Sequence, residues 1–139
     1  MIVLDTDVLS AIIAPLPVQR VSEWMDAQPV SDLCLTAVTV YEVRLGIEAL
    51  PSGRKRNRLE DAFESALTEL FDGRVLPFGW DAAEQAGKLA ARRQRIGRPQ
   101  EHRDTQIAGI VLSQGATLAT RNVRHFADLE VPIVNPWTA

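Results

Sequence analysis

Thiols are almost missing from this chain, which has one cysteine, Cys34. An internal disulfide and any cysteine-built zinc cluster are thereby excluded. Cys34 lies between Leu33 and Leu35, the setting of a buried strand residue rather than of a nucleophile. Long apolar runs are missing as well. No stretch approaches the roughly 20 residues that cross a bilayer, so no membrane association is expected. Met1-Ile2-Val3-Leu4 opens directly as a strand with no basic leader, which predicts no secretory signal and a cytoplasmic location. Excess positive charge is also absent. A net charge of -3 argues against a protein that coats nucleic acid through its overall field. A nucleic-acid substrate stays compatible with that total, because local basic stripes or bound cations offset it. Basic residues do gather, at Arg54-Lys55-Arg56 with Arg58 and at Arg92-Arg93 with Arg95 and Arg98. Each group reads first as a solvated helix face. There is no Ser-His or Cys-His arrangement to suggest a side-chain nucleophile, and no linker, repeat or low-complexity tract.

What is present suffices for one folded domain over residues 1–139, with 46% hydrophobic and 24% charged residues. Short strand signals fall at Ile2 to Asp5, Asp32 to Leu35, Val75 to Phe78, Thr117 to Ala119 and Pro132 to Val134. Helical patterns lie between them. One follows Asp5 and breaks at Pro15 and Pro17, and the next runs from Val18 to Ala27. A third covers Val38 to Leu50 with Thr36 placed to cap it, and the rest cover Arg56 to Phe71, Asp81 to Ile96 and Asp104 to Gln114. Strands alternating with helices imply an α/β fold with a mainly parallel sheet between helices. In such sheets the ligand crevice lies beyond the carboxyl ends of the strands.

Three acids end up near that crevice. Asp5 closes the first strand, Glu42 shares a helix face with Val38 and Leu45, and Asp104 precedes Ile107, Ala108, Val111 and Leu112 at inward-pointing spacing. Burying several carboxylates together is prohibitive unless protons or a cation neutralise them. A hard divalent cation held by oxygen ligands is the simplest neutraliser. Each acid also has a plain structural reading: Asp104 as a cap or dipole partner, Glu42 as a glutamate satisfied by a nearby Arg or Tyr, and Asp7 as a cap or a further ligand. Arg44 should project away from Glu42. Thr120 and Asn122 follow the strand at Thr117 to Ala119. Both can coordinate a hard cation directly or through water, and Asn122 equally suits a turn. His102 and His125 read as surface residues first and as proton shuttles or phosphate contacts second. Arg121 and Arg124 are candidate phosphate contacts. Trp24, Phe63 and Trp80 are apolar candidates for an interface.

The chain resembles the PIN-domain ribonucleases, specifically the toxin subunits of VapBC-type toxin–antitoxin pairs in their FitB-like branch. Four pieces carry the resemblance in order: Ile2-Val3-Leu4-Asp5-Thr6-Asp7-Val8-Leu9-Ser10, Thr39-Val40-Tyr41-Glu42-Val43-Arg44-Leu45-Gly46, Asp104-Thr105-Gln106-Ile107-Ala108, and Ala119-Thr120-Arg121-Asn122 running on to Val134-Asn135-Pro136-Trp137. It implies a three-layer α/β/α PIN domain and an acidic site for Mg2+ or Mn2+ that hydrolyses RNA. Asp5, Glu42 and Asp104 would be its metal ligands, and Thr120 and Asn122 would position water or phosphate. Asn122 stands where some relatives carry a fourth acid, and Asp7 where the family commonly has Asn. Also implied are a VapB/FitA-like antitoxin that alone contacts operator DNA, and a homodimer or larger assembly. Two alternatives are carried: a catalytically weak PIN domain acting as a regulated partner, and a haloacid-dehalogenase-type phosphohydrolase with Asp5 as nucleophile. The second lacks the late acidic pair and has Leu9 where Thr or Val is wanted.

Overall fold

A computed structural model describes the whole chain, Met1 to Ala139. Its strands are β1 (Ile2–Leu4), β2 (Leu33–Thr36), β3 (Val75–Leu76), β4 (Thr117–Ala119) and β5 (Ile133–Val134). They lie in the order β3-β2-β1-β4-β5, and every neighbouring pair is parallel. Side chains along a strand alternate between the two faces of a sheet. Val3, Cys34 and Leu118 accordingly enter one apolar cluster, while Leu4, Leu33, Leu35 and Ala119 enter the other. Helices α1 (Thr6–Ile13), α2 (Gln19–Asp26), α3 (Ala37–Glu48) and α4 (Arg54–Ser65) cover the second face through Val8, Val21, Ile47 and Phe63. Helices α5 (Trp80–Arg95) and α6 (His102–Gln114) cover the first through Leu89, Ile107 and Val111. The expected three-layer α/β/α sandwich results. No helix is long and apolar enough to cross a membrane.

Several boundaries shift for physical reasons. β2 begins later than expected because Val30–Asp32 forms a short 3-10 turn. β3 stops at Leu76, since Pro77 has no N–H for a ladder bond. The helix expected to run unbroken to Phe71 instead widens into one π turn, Ala66–Leu70, where the Phe71 N–H donates to the Ala66 carbonyl at 2.9 Å and the ring is buried. Thr36 does cap α3, its hydroxyl accepting from the Thr39 N–H at 3.1 Å. α6 begins two residues before Asp104 and has Glu101 at its N-cap, so Asp104 lies in the first turn and caps nothing.

Two expected placements are corrected. Leu45 does not share Glu42's buried face. The buried stripe of α3 runs through Thr39, Val43 and Ile47, four residues apart, which leaves Glu42 at its edge and Leu45 49% exposed. Phe63 is not exposed but wholly buried beneath the Arg44 guanidinium, whereas Trp80 is 82% exposed. Trp24 packs half-buried against the core.

The chain leaves β1 for β2 and β3 on one side, then returns to place β4 on the other side of β1. The carboxyl ends of β1 and β4 therefore border the point where the winding reverses, which is where a doubly wound sheet opens its ligand crevice. Asp5 and Thr120 are the first residues beyond those two strand ends.

Candidate active site

Asp5 is 4% exposed at the end of β1. Its backbone N–H donates to the Ala119 carbonyl at 2.9 Å, which ties it to β4. One carboxylate oxygen accepts from the Thr6 N–H at 2.9 Å and so caps α1. The other accepts from the Thr120 hydroxyl at 2.7 Å. Burial, and then the charges of Asp7 and Asp104, push this carboxyl up to about 7, against the lowering effect of its two hydrogen bonds.

Because Asp5 is the cap, Asp7 falls inside the first turn of α1. Its Oδ2 accepts from the Arg121 N–H at 3.0 Å. Its Oδ1 is the one buried side-chain oxygen or nitrogen in the protein without a hydrogen-bond partner. Burial is the main reason that Asp7 also titrates above the usual carboxylate range.

Glu42 arrives from α3. The Thr6 hydroxyl donates to its Oε1 at 2.8 Å and lies 3.0 Å from the Thr39 hydroxyl, while Arg103 Nη1 stands 3.7 Å from Oε2. Burial raises the Glu42 pKa, opposed by the Thr6 bond and the Arg103 charge. Asp104 comes from α6, with Oδ2 3.4 Å from His125 Nδ1. Behind burial, the negative charge of Asp104 adds a lesser push upward at Asp5, Asp7 and Glu42.

Thr120 is fully buried and its hydroxyl is committed to Asp5. It fixes that carboxylate rather than facing a substrate. The same oxygen accepts from the Asn122 N–H at 3.0 Å, so the turn after β4 is anchored to the acid as well. Asn122 and Arg124 are exposed. The Arg121 guanidinium lies 5.1 Å over the Trp137 ring, held by a cation–π contact. His102 is exposed at the start of α6. Arg44 faces away as expected, towards Glu48, Glu60 and Glu64.

Sequence reasoning missed Thr6, Thr39, Arg103 and Arg93. Arg93 was grouped with a solvated basic face, yet it is 2% exposed. The signal was available in α5, where Ala82, Ala86, Leu89 and Arg93 continue one buried stripe at steps of three and four.

The donor set suits a hard cation. All the donors are carboxylate or hydroxyl oxygens, Asp7 leaves a buried oxygen without a partner, and three carboxyls are pushed towards protonation by burial and, to a lesser extent, by the charge of Asp104. No three acidic, histidine or cysteine side chains meet in a ready-made coordination sphere. Each acid is instead engaged locally: Asp5 by Thr120, Glu42 by Thr6 and Arg103, and Asp104 by His125.

Acids gathered from β1, α3 and α6 around the winding reversal of a five-stranded parallel sheet define a class of fold and site. The chain belongs to the PIN-domain family, whose model matches residues 2–131. It is 36% identical to the VapC ribonuclease Y4jK of Sinorhizobium fredii, over 99% of this chain and 98% of that protein. It is equally similar to the toxin FitB of Neisseria gonorrhoeae, 36% identical over 99% of both chains. The crystal structure of FitAcB from Neisseria gonorrhoeae superposes with a TM-score of 0.90 at 35% identity, covering the whole of both chains. This membership leaves the haloacid-dehalogenase alternative without support.

Proposed function

We propose that this PIN domain is a metal-dependent endoribonuclease and the toxin of a type II toxin–antitoxin pair. The observation that carries the reading is the buried Asp5 beside the half-buried Asp7 at the winding reversal, the first pushed up to about 7 and the second with a buried oxygen that lacks a partner. Asp5, Glu42 and Asp104 would hold Mg2+ or Mn2+, with Asp7 adding an oxygen. Bound there, the cation supplies Lewis acidity to activate water and to neutralise charge on a phosphodiester.

The protein's own groups do the rest. Thr120 keeps one Asp5 oxygen fixed by hydrogen bonding, and the Asp5 backbone is tied to β4, so this ligand is preorganised. Thr6 orients Glu42 and links it to Thr39 on the same helix. The Asn122 amide, in a turn anchored by its own backbone N–H, would orient water or the scissile phosphate. Arg121 and Arg124 would contact flanking phosphates, with the Arg121 guanidinium held over Trp137. A cognate antitoxin of the VapB/FitA kind would cover this crevice, contact operator DNA and assemble with a toxin homodimer or larger oligomer. An arginine side chain is the chemically suited plug for the acid cluster.

The test is cleavage of total RNA with Mg2+ or Mn2+ by the parent and by Asp5→Asn, Glu42→Gln and Asp104→Asn, with Mn2+ binding measured by calorimetry. The expected result is loss of cleavage in all three with the fold retained. Wild-type rates in those variants would overturn the reading. Mn2+ binding without any cleavage by the parent would instead favour the regulatory-partner alternative.

A further inference from the structure

The most completely satisfied buried charge in the molecule lies behind the crevice rather than in it. Arg93, on α5, is 2% exposed. Its Nε and Nη2 donate to the two oxygens of Asp128 at 2.9 Å each, a bidentate fork. Nη2 also donates to the His125 carbonyl at 2.9 Å, and Nη1 to the Thr105 hydroxyl at 3.2 Å. These partners belong to two segments that both serve the site. Thr105 adjoins Asp104 in the first turn of α6, and its hydroxyl also lies 3.2 Å from the Glu101 carbonyl at that helix's N-cap. His125 sits in the short 3-10 turn Val123–Phe126 that follows Asn122, and its ring faces Asp104. One guanidinium therefore clamps the turn after β4 onto the start of α6.

We infer that Arg93, through its fork with Asp128, is a positioning residue that sets the distance between Asp104 and the Asn122–His125 turn. The inference rests on the metal-site reading above. The planar fork is the reason the residue is Arg: a lysine carries the same charge but cannot span a carboxylate, a hydroxyl and a carbonyl in one plane. Burial of the whole side chain along the α5 stripe fixes its direction, so the geometry is transmitted as in a packed core.

The experiment compares the full-length parent with Asp128→Asn, Arg93→Lys and, as a control, Arg44→Gln, which removes an arginine paired with three carboxylates away from the crevice. Three quantities are read: Mn2+ affinity by calorimetry, the line shape of bound Mn2+ in electron paramagnetic resonance, and the thermal midpoint. Groups that orient metal ligands typically change affinity by about 10- to 100-fold when altered. We expect about tenfold weaker Mn2+ binding and a broadened spectrum in Asp128→Asn and Arg93→Lys, and an unchanged metal site in Arg44→Gln whatever its midpoint. Lowered midpoints with parental Mn2+ affinity and spectrum would reduce Arg93 to a purely structural clamp and overturn the inference. Should Arg93→Lys fail to fold, Asp128→Asn decides alone, because its carboxamide keeps the shape and its site is 37% exposed. A parent that binds no Mn2+ at all would instead sink the metal-site reading, and this inference with it.

Discussion

On the strand side of the crevice, Asp5 has both oxygens hydrogen-bonded, at 2.7 and 2.9 Å, and is 4% exposed. On the helix side, Glu42 has the Arg103 guanidinium at 3.7 Å and Asp104 has the His125 ring nitrogen at 3.4 Å, with 20% and 21% of each acid side chain exposed. The first arrangement is part of the sheet and cannot move without breaking the β1–β4 junction. The second is held by one Thr6 hydroxyl on Glu42 and by longer side-chain contacts near water, which are weak and exchangeable. On the proposed reading, a cation would find one wall already built and would have to draw the other towards it, since no coordination sphere is preformed.

The sharpest way to break this contrast is Asp5→Asn, with the largest expected effect. Losing a direct ligand should cost more than the roughly hundredfold upper range for groups behind a ligand, so cleavage should fall by more than about a hundredfold. Stability should move the other way in protein stripped of metal. The folded-state pKa of Asp5 is raised from 3.8 to about 7. Between those values the unfolded chain gives up the proton while the folded chain keeps it. Parent stability therefore declines as pH rises through that window, by an amount on the order of a few kcal/mol. The asparagine variant lacks this decline, and Mn2+ should restore the parent above pH 7 by binding only the folded state. Thermal midpoints across pH 4 to 8, with chelator and with Mn2+, check both halves. Parallel profiles for parent and variant would show that Asp5 is not the strained group.

That contrast also explains what was legible in the sequence. Asp5 could be located from four letters because an apolar run ending in an acid has one reading in a parallel sheet. Glu42 was placed on the right helix but with the wrong neighbour, Leu45, since a one-residue rotation of the buried stripe is invisible in so apolar a segment. The hydroxyls were harder. Thr6 and Thr120 act by hydrogen bonds over 36 and 115 residues, and no local pattern encodes a partner that distant. Arg93 was hidden by its neighbours: Arg92 and Arg95 are exposed, and only the phase of the helix separates them from it.

The helix side depends on how closely α5 and α6 approach, and Gly109→Ala tests that next. A Cβ there would meet the Ala82 carbonyl oxygen at 2.5 Å and the Ala86 Cβ at 2.7 Å, so backbone must shift. Overpacking of this kind costs about 1–3 kcal/mol, and the upper end is expected because the obstacle is main chain. Denaturant titration should show it, with Glu42→Gln as a comparison that leaves this helix contact untouched. A neutral Gly109→Ala would mean that α5 and α6 are free to slide, and the clamp by Arg93 would lose its rigid base.

Asp128→Asn should have a smaller effect and a defined pH dependence. The Arg93 bonds hold the Asp128 carboxyl below its usual range. A lowered folded-state pKa gives stability that is present above the unfolded value and disappears as pH falls through the folded one. With the side chain 37% exposed, screening limits the contribution to about 1 kcal/mol at neutral pH. The gap between parent and variant midpoints should therefore close as the solution is acidified past the carboxylate range. A gap that persists in acid would point to packing rather than charge.

Arg44→Gln should change least, although Arg44 has as many acidic neighbours as any group here. It reaches Glu60 at 3.2 Å, Glu64 at 2.7 Å and Glu48 at 3.8 Å, and stacks over Phe63 at 5.3 Å. Its partners are 41% to 55% exposed, so water competes for each charge and each pair is worth little. A loss below about 1 kcal/mol is expected, shrinking further as added salt screens what remains. Arg44 thus has three ion pairs against one for Arg93, yet Arg93 is expected to matter more, because its guanidinium is buried and the partners of Arg44 are not. A salt-insensitive loss of several kcal/mol at Arg44 would show that the guanidinium acts as the lid over Phe63, through packing rather than charge.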